Sequence, residues 1–129
     1  KPIAAFFVVG ALAATSAAQF GRPSVEQQIK LGRDAAAEIR RKERVLPAND
    51  ARVRLVRRIG ARLVRTLPAN DPWQYSFDVV DDRELNAFAL PGGQVFITEA
   101  LYNRLETEGQ LAGVLGHEIG HVLARHGAQ

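Results

Sequence analysis

The sequence predicts an α+β domain, mainly helical, with a small, mostly antiparallel sheet and a long helix at the C-terminal end. Apolar residues recur at helical spacing from Val25 to Leu67 and again from Leu111 to Val122. After Pro72 the pattern changes to short runs of period two, punctuated by Pro and Gly. The 129 residues suffice for one domain or for part of a larger one. There is no cysteine, which excludes a disulfide framework and a thiolate metal site.

Residues 1–19 read as a secretory signal peptide. A basic start precedes the apolar run Ile3 to Ala14, and Ser16 and Ala18 fit the small-residue positions of a cleavage site. The run is shorter than the roughly 20 apolar residues of a membrane span, although an uncleaved anchor is the alternative. The expected domain therefore occupies residues 24–129 of an exported chain.

Ser24 and Gln27 form an S-x-x-Q capping box at the start of the first helix. Val25, Ile29, Ala36, Ile39 and Leu46 give it an apolar stripe, interrupted by Gly32, that carries the helix to Pro47. Pro47 to Asp50 ends it and caps a second helix, Ala51 to about Thr66, with core candidates Val53, Val56, Ile59, Leu63, Val64 and Leu67. The pentapeptide Leu-Pro-Ala-Asn-Asp occurs at residues 46–50 and 67–71. Two copies of so short a unit are turn chemistry used twice, not a repeat architecture.

Charge is segregated. Residues 40–65 hold ten basic side chains against Glu43 and Asp50, whereas residues 71–108 hold eight acids against Arg83 and Arg104. A basic helical face of this kind is solvated or rests on anionic membrane lipid. Export and the absence of interleaved aromatic residues argue against nucleic acid.

Tyr75, Phe77 and Val79 alternate with Gln74, Ser76 and Asp78, as in a strand buried on one face. Asn86 to Leu90 and Gln94 to Ile97 are two further extended stretches, joined by the turn Pro91-Gly92-Gly93. Proline without an N–H, beside glycines that permit close approach, suits a sheet edge next to a cleft. Thr98 caps a short helix to about Leu105, and Thr107 with Gln110 caps the last one, with Gly127 at its expected stop.

That last helix carries His117-Glu118-Ile119-Gly120-His121. In H-E-x-x-H the two histidines lie about 40° apart around the helix, so both imidazoles can bind one zinc ion. Gln110, Val114, His117, His121 and Ala124 share one side, while Leu111, Leu115, Ile119 and Val122 take the core side. Glu118 falls on the flank beside the histidines. A third histidine ten residues after the first is absent, because Gly127 stands there, and His126 lies about 180° from His117. Gly113, Gly116 and Gly120 each cost about 1 kcal/mol of helix propensity, which close packing against neighbouring elements would offset. A catalytic zinc has three protein ligands, and two are legible here. The expectation is a domain with a piece missing at its C-terminal side.

Asn86 to Gly93, Val95 to Ile97 and His117 to His126 together closely resemble the gluzincin peptidases. That family includes the CAAX prenyl proteases, HtpX-like membrane proteases, mitochondrial Oma-type proteases and bacterial periplasmic BepA-like proteases. The resemblance runs from about Ser24 to Gln129 and implies a zincin-like peptidase domain with one Zn2+. It implies His117 and His121 as metal ligands, Glu118 as catalytic base, and a glutamate downstream as third ligand. It also implies that Ala87, Phe88, Ala89, Leu90, Gly92 and Gly93 border the substrate. The implied function is hydrolysis of peptide bonds in misfolded cell-envelope proteins, as protein quality control. The alternative is a catalytically inactive binding or chaperone protein on the same fold.

Overall fold

A computed structural model describes residues 23–127, the side chain of His126 excepted. The signal-peptide expectation for residues 1–19 lies outside the described residues, as does the helix stop after Gly127. Among the described residues four helices and three strands follow in the order α1 (Val25–Lys42), α2 (Ala51–Val64), β1 (Ser76–Val80), β2 (Ala87–Ala89), β3 (Gln94–Thr98), α3 (Glu99–Arg104) and α4 (Glu108–Gly127).

The caps form as the sequence predicts. The Ser24 hydroxyl accepts from the Gln27 N–H while the Gln27 side chain accepts from the Ser24 N–H. Asp50 caps α2 through the Arg52 N–H, and Thr98 caps α3 through the Leu101 N–H. Thr107 and Gln110 exchange the reciprocal pair at α4. Each supplies an acceptor to an N–H that the helix itself leaves unpaired.

α1 stops at Lys42, short of Pro47. Glu43 is already extended, with φ −117° and ψ 153°. Residues 44–46 then run beside β1: Val45 bridges Val80, the Leu46 N–H donates to Val79 O, and the Asp81 N–H donates to Arg44 O. The outer edge of β1 thus satisfies its main chain with these residues, and that outweighs one further helical turn. Leu46 is buried, as part of the core rather than of a helical stripe.

The sheet order is β1-β3-β2. β2 and β3 form the expected antiparallel hairpin, but β1 pairs parallel to β3 over five register positions. The sheet is therefore mixed, not mostly antiparallel. β1 leads into the edge strand β2, so the chain turns back through β3 between them, and β3 then runs along β1 in the same direction.

Both faces of the sheet are covered. Phe77, Val79, Ala87, Ala89, Val95 and Ile97 point into a first core with Val53, Val56 and Ile59 of α2 and Leu111, Leu115, Ile119 and Val122 of α4. The alternate residues Val80, Phe88 and Phe96 meet Ala36 and Ile39 of α1 in a second core. The period-two pattern survives, but it divides residues between two cores rather than between core and water. Asp78, expected on a solvated face, is buried under α1. Its carboxylate pairs with Arg40 at 2.9 Å and Arg57 at 2.6 Å, which compensates the cost of burying the charge.

Gly32 and Gly60 allow close packing of helices on the rest of the fold, and neither lies in α4. A Cβ on Gly32 would stand 1.6 Å from the Pro91 carbonyl oxygen, and one on Gly60 would stand 2.5 Å from the Phe77 ring. At Gly113, Gly116 and Gly120 a Cβ would meet nothing within 4 Å among the described residues. The close packing expected at those three positions is not formed among the described residues.

Candidate active site

The apolar side of α4 orients the site. Leu111, Leu115, Ile119 and Val122 are each at most 4% exposed, which commits that side to the first core and turns His117 and His121 outward. The two rings meet edge to face at 4.6 Å between centroids. One ligand atom from each of His117, Glu118 and His121 lies within 4.8 Å of the others. The side chain of His126 lies outside the described part.

Glu118 occupies the flank between the histidines and the core. Its side chain is 9% exposed, against 70% for His117, and its Oε2 is 3.5 Å from His117 Nδ1. Burial pushes its carboxyl above the ordinary carboxylate range, while His117, His121 and Arg125 pull the other way. The carboxylate is thus poorly solvated and close to the outward imidazoles.

The edge strand β2 packs beside α4. Leu90 N–H donates to Gln94 O, and Thr98 N–H to Asn86 O. By the alternation of an antiparallel ladder, the main-chain groups of Ala87 and Ala89 then point away from β3. Arg125 Nη2 donates to the outward carbonyl of Ala89 at 3.2 Å. Burial lowers the pKa of the Arg125 guanidinium, and the negative charge of Glu118 opposes that shift.

The six expected substrate-contact residues separate by geometry. Phe88 and Leu90 belong to the second core. The carbonyls of Gly92 and Gly93 accept from the Gln74 and Ser76 N–H groups, and Gly93 N–H donates to Leu90 O. Gly92 and Gly93 adopt φ 93° and 117°, which reserves this turn for glycine. Ala87 and Ala89 are left with main chain at the sheet edge. Sequence reasoning assigned no role to Arg125. Its signal was the spacing: seven residues after Glu118 places it about 20° away, on the same flank of the helix.

Residues 50–129 match peptidase family M48, a stretch that takes in every element from α2 onward. The chain belongs to that family. An M48 chain implies a metal cofactor, and the donor set fits one: two outward imidazole nitrogens and a carboxylate within reach of the same point.

Among this M48 chain's relatives is the mitochondrial metalloendopeptidase OMA1 of Schizosaccharomyces pombe. It is 32% identical over 113 residues, covering 86% of this chain and 33% of that protein. The putative beta-barrel assembly-enhancing protease of Vibrio cholerae is 42% identical over 69 residues, 53% of this chain and 14% of that one. The beta-barrel assembly-enhancing protease of Escherichia coli is 44% identical over 52 residues, 40% and 11% respectively. The chain therefore spans a third or less of the length of these relatives.

Proposed function

We propose that this chain carries the zinc-binding and base-bearing part of a metalloendopeptidase acting on misfolded proteins of the cell envelope. One observation supports this above the others: a buried carboxylate stands 3.5 Å from one of two outward imidazoles on the same helix. His117 and His121 would hold the ion, with a glutamate beyond residue 129 as third protein ligand. When bound, zinc polarises a peptide carbonyl and lowers the pKa of water to about 7. Glu118 accepts the proton of the attacking water at its carboxylate and passes it to the departing amine. The substrate lies along the β2 edge, where Ala87 and Ala89 turn main chain outward beside α4.

The relatives' names, metalloendopeptidase and beta-barrel assembly-enhancing protease, favour a protein substrate. The second name favours export and the envelope over the mitochondrial placement of the first. No helix among the described residues is long and apolar enough to cross a membrane. Contact with an anionic membrane surface is supported by Arg58, Arg62 and Arg65, exposed on one side of α2 and its C-terminal end with no ion pair among the described residues.

The test is casein cleavage by the full-length protein, wild type beside Glu118→Gln, with and without a chelator. Loss of the base is expected to lower kcat about 10²–10⁴-fold, and the chelator to abolish cleavage until zinc is restored. Undiminished cleavage by Glu118→Gln would refute its role as base.

A further inference from the structure

Arg125 links α4 to the edge strand in a way that the family chemistry does not require. Its Nη2 is committed to the Ala89 carbonyl at 3.2 Å, and its Nη1 is buried with no hydrogen-bond partner among the described residues. A buried guanidinium N–H without an acceptor is costly, so an acceptor from outside the described residues is the natural complement. The outward groups of β2 are then unequal. Among the described residues Ala87 offers an unpaired N–H and carbonyl, and Ala89 offers only its N–H.

We propose that Arg125 sets the register of the bound peptide. Its guanidinium occupies the last outward carbonyl before the turn, so a peptide strand pairs around Ala87 and cannot advance past Ala89. The alternation of side chains allows an edge-bound strand to slide only in steps of two residues, about 7 Å. Closing the forward step leaves one bond of the peptide opposite the histidines. Arg125 and His121 lie one turn apart on the same helix, so the stop and the metal ligand move together. Arg125 is thus a positioning residue, and this role rests on the reading of the β2 edge as the peptide site.

The experiment maps cleavage bonds in reduced, carboxymethylated casein by mass spectrometry, using the full-length protein. Arg125→Met keeps an unbranched apolar stem and removes the donors, whereas Arg125→Lys keeps a cationic donor at the end of a long stem. The expected result is that Arg125→Met adds cuts displaced by two residues from the wild-type bonds and raises KM, and that Arg125→Lys restores the wild-type bonds. Unshifted bonds in a folded Arg125→Met protein, at whatever rate, would overturn the proposal and leave Arg125 a structural strut. Should Arg125→Met not fold, Arg125→Gln is read in the same way, since its shorter amide does not reach Ala89. Ala87→Pro removes an outward N–H without touching the ladder to β3. A raised KM in Ala87→Pro with unshifted bonds in Arg125→Met defeats the register proposal alone. No change in Ala87→Pro defeats the edge reading and the proposal with it.

Discussion

Replacing Gly32 with alanine should destabilise the fold, although alanine is the better helix former. Gly32 lies inside α1, where the change gains about 1 kcal/mol of helix propensity. Against this, the new Cβ would stand 1.6 Å from Pro91 O and 2.8 Å from Pro91 C, both main-chain atoms of the β2–β3 turn. Helix and turn would have to separate by roughly 1.4 Å to reach the 3.0 Å that Cβ contacts respect. No rotamer can relieve a clash between a Cβ and a carbonyl, and a Cβ on the next residue of the turn, Gly92, would itself stand 2.8 Å from Ile29 Cα. Overpacking of this kind costs about 1–3 kcal/mol, and a main-chain clash belongs at or above the top of that range. A net loss of about 2 kcal/mol follows once the propensity gain is subtracted. Thermal unfolding can be followed through Trp73, the single tryptophan of these residues, which is buried in the first core. Because the turn accepts from the Gln74 and Ser76 N–H groups, those two amides should also exchange faster with solvent. A Gly32→Ala protein as stable as wild type, with unchanged exchange at Gln74, would refute the close approach of α1 to the turn.

The same substitution at Gly113 should act in the opposite direction, stabilising by about 1 kcal/mol, because a Cβ there meets nothing within 4 Å among the described residues; a lower urea midpoint would show an unseen neighbour. Asp78→Asn removes a buried charge that two arginines share and should cost about 2 kcal/mol by urea denaturation. An unchanged midpoint would mean that Arg40 and Arg57 are held by packing alone. The Asp50 carboxyl is held down to about 2 by the Arg52 guanidinium. Its folded pKa lies below the unfolded value of about 3.9, so its contribution is complete above pH 4 and is lost as pH falls toward 2. Asp50→Asn should therefore melt below wild type at pH 5, with the gap closing toward pH 2. A gap constant over that range would assign the effect to the cap geometry instead of the charge.

What was legible in the sequence is what short spans of chain decide. Ser24 with Gln27 and Thr107 with Gln110 are three residues apart, and such a cap forms wherever its helix forms. The side of α4 that carries His117 and His121 follows from the helical period, since Leu111, Leu115, Ile119 and Val122 must face a core. The turn at Gly92 and Gly93 was equally local. The error at the end of α1 marks the limit. Residues 44–46 left the helix to pair with β1, a partner that local propensity does not contain.

Everything that brings distant segments together needed the tertiary structure. The parallel pairing of β1 with β3 depends on which strand lies between the others, and alternation reads the same in either direction. Asp78 looked solvated until α1 covered that face and brought Arg40 to it from 38 residues away. The contact of Arg125 with Ala89 spans 36 residues. A sequence period determines which face of an element is apolar. Only packing determines which element covers that face, and therefore which polar groups are buried with it and which main-chain edges remain open.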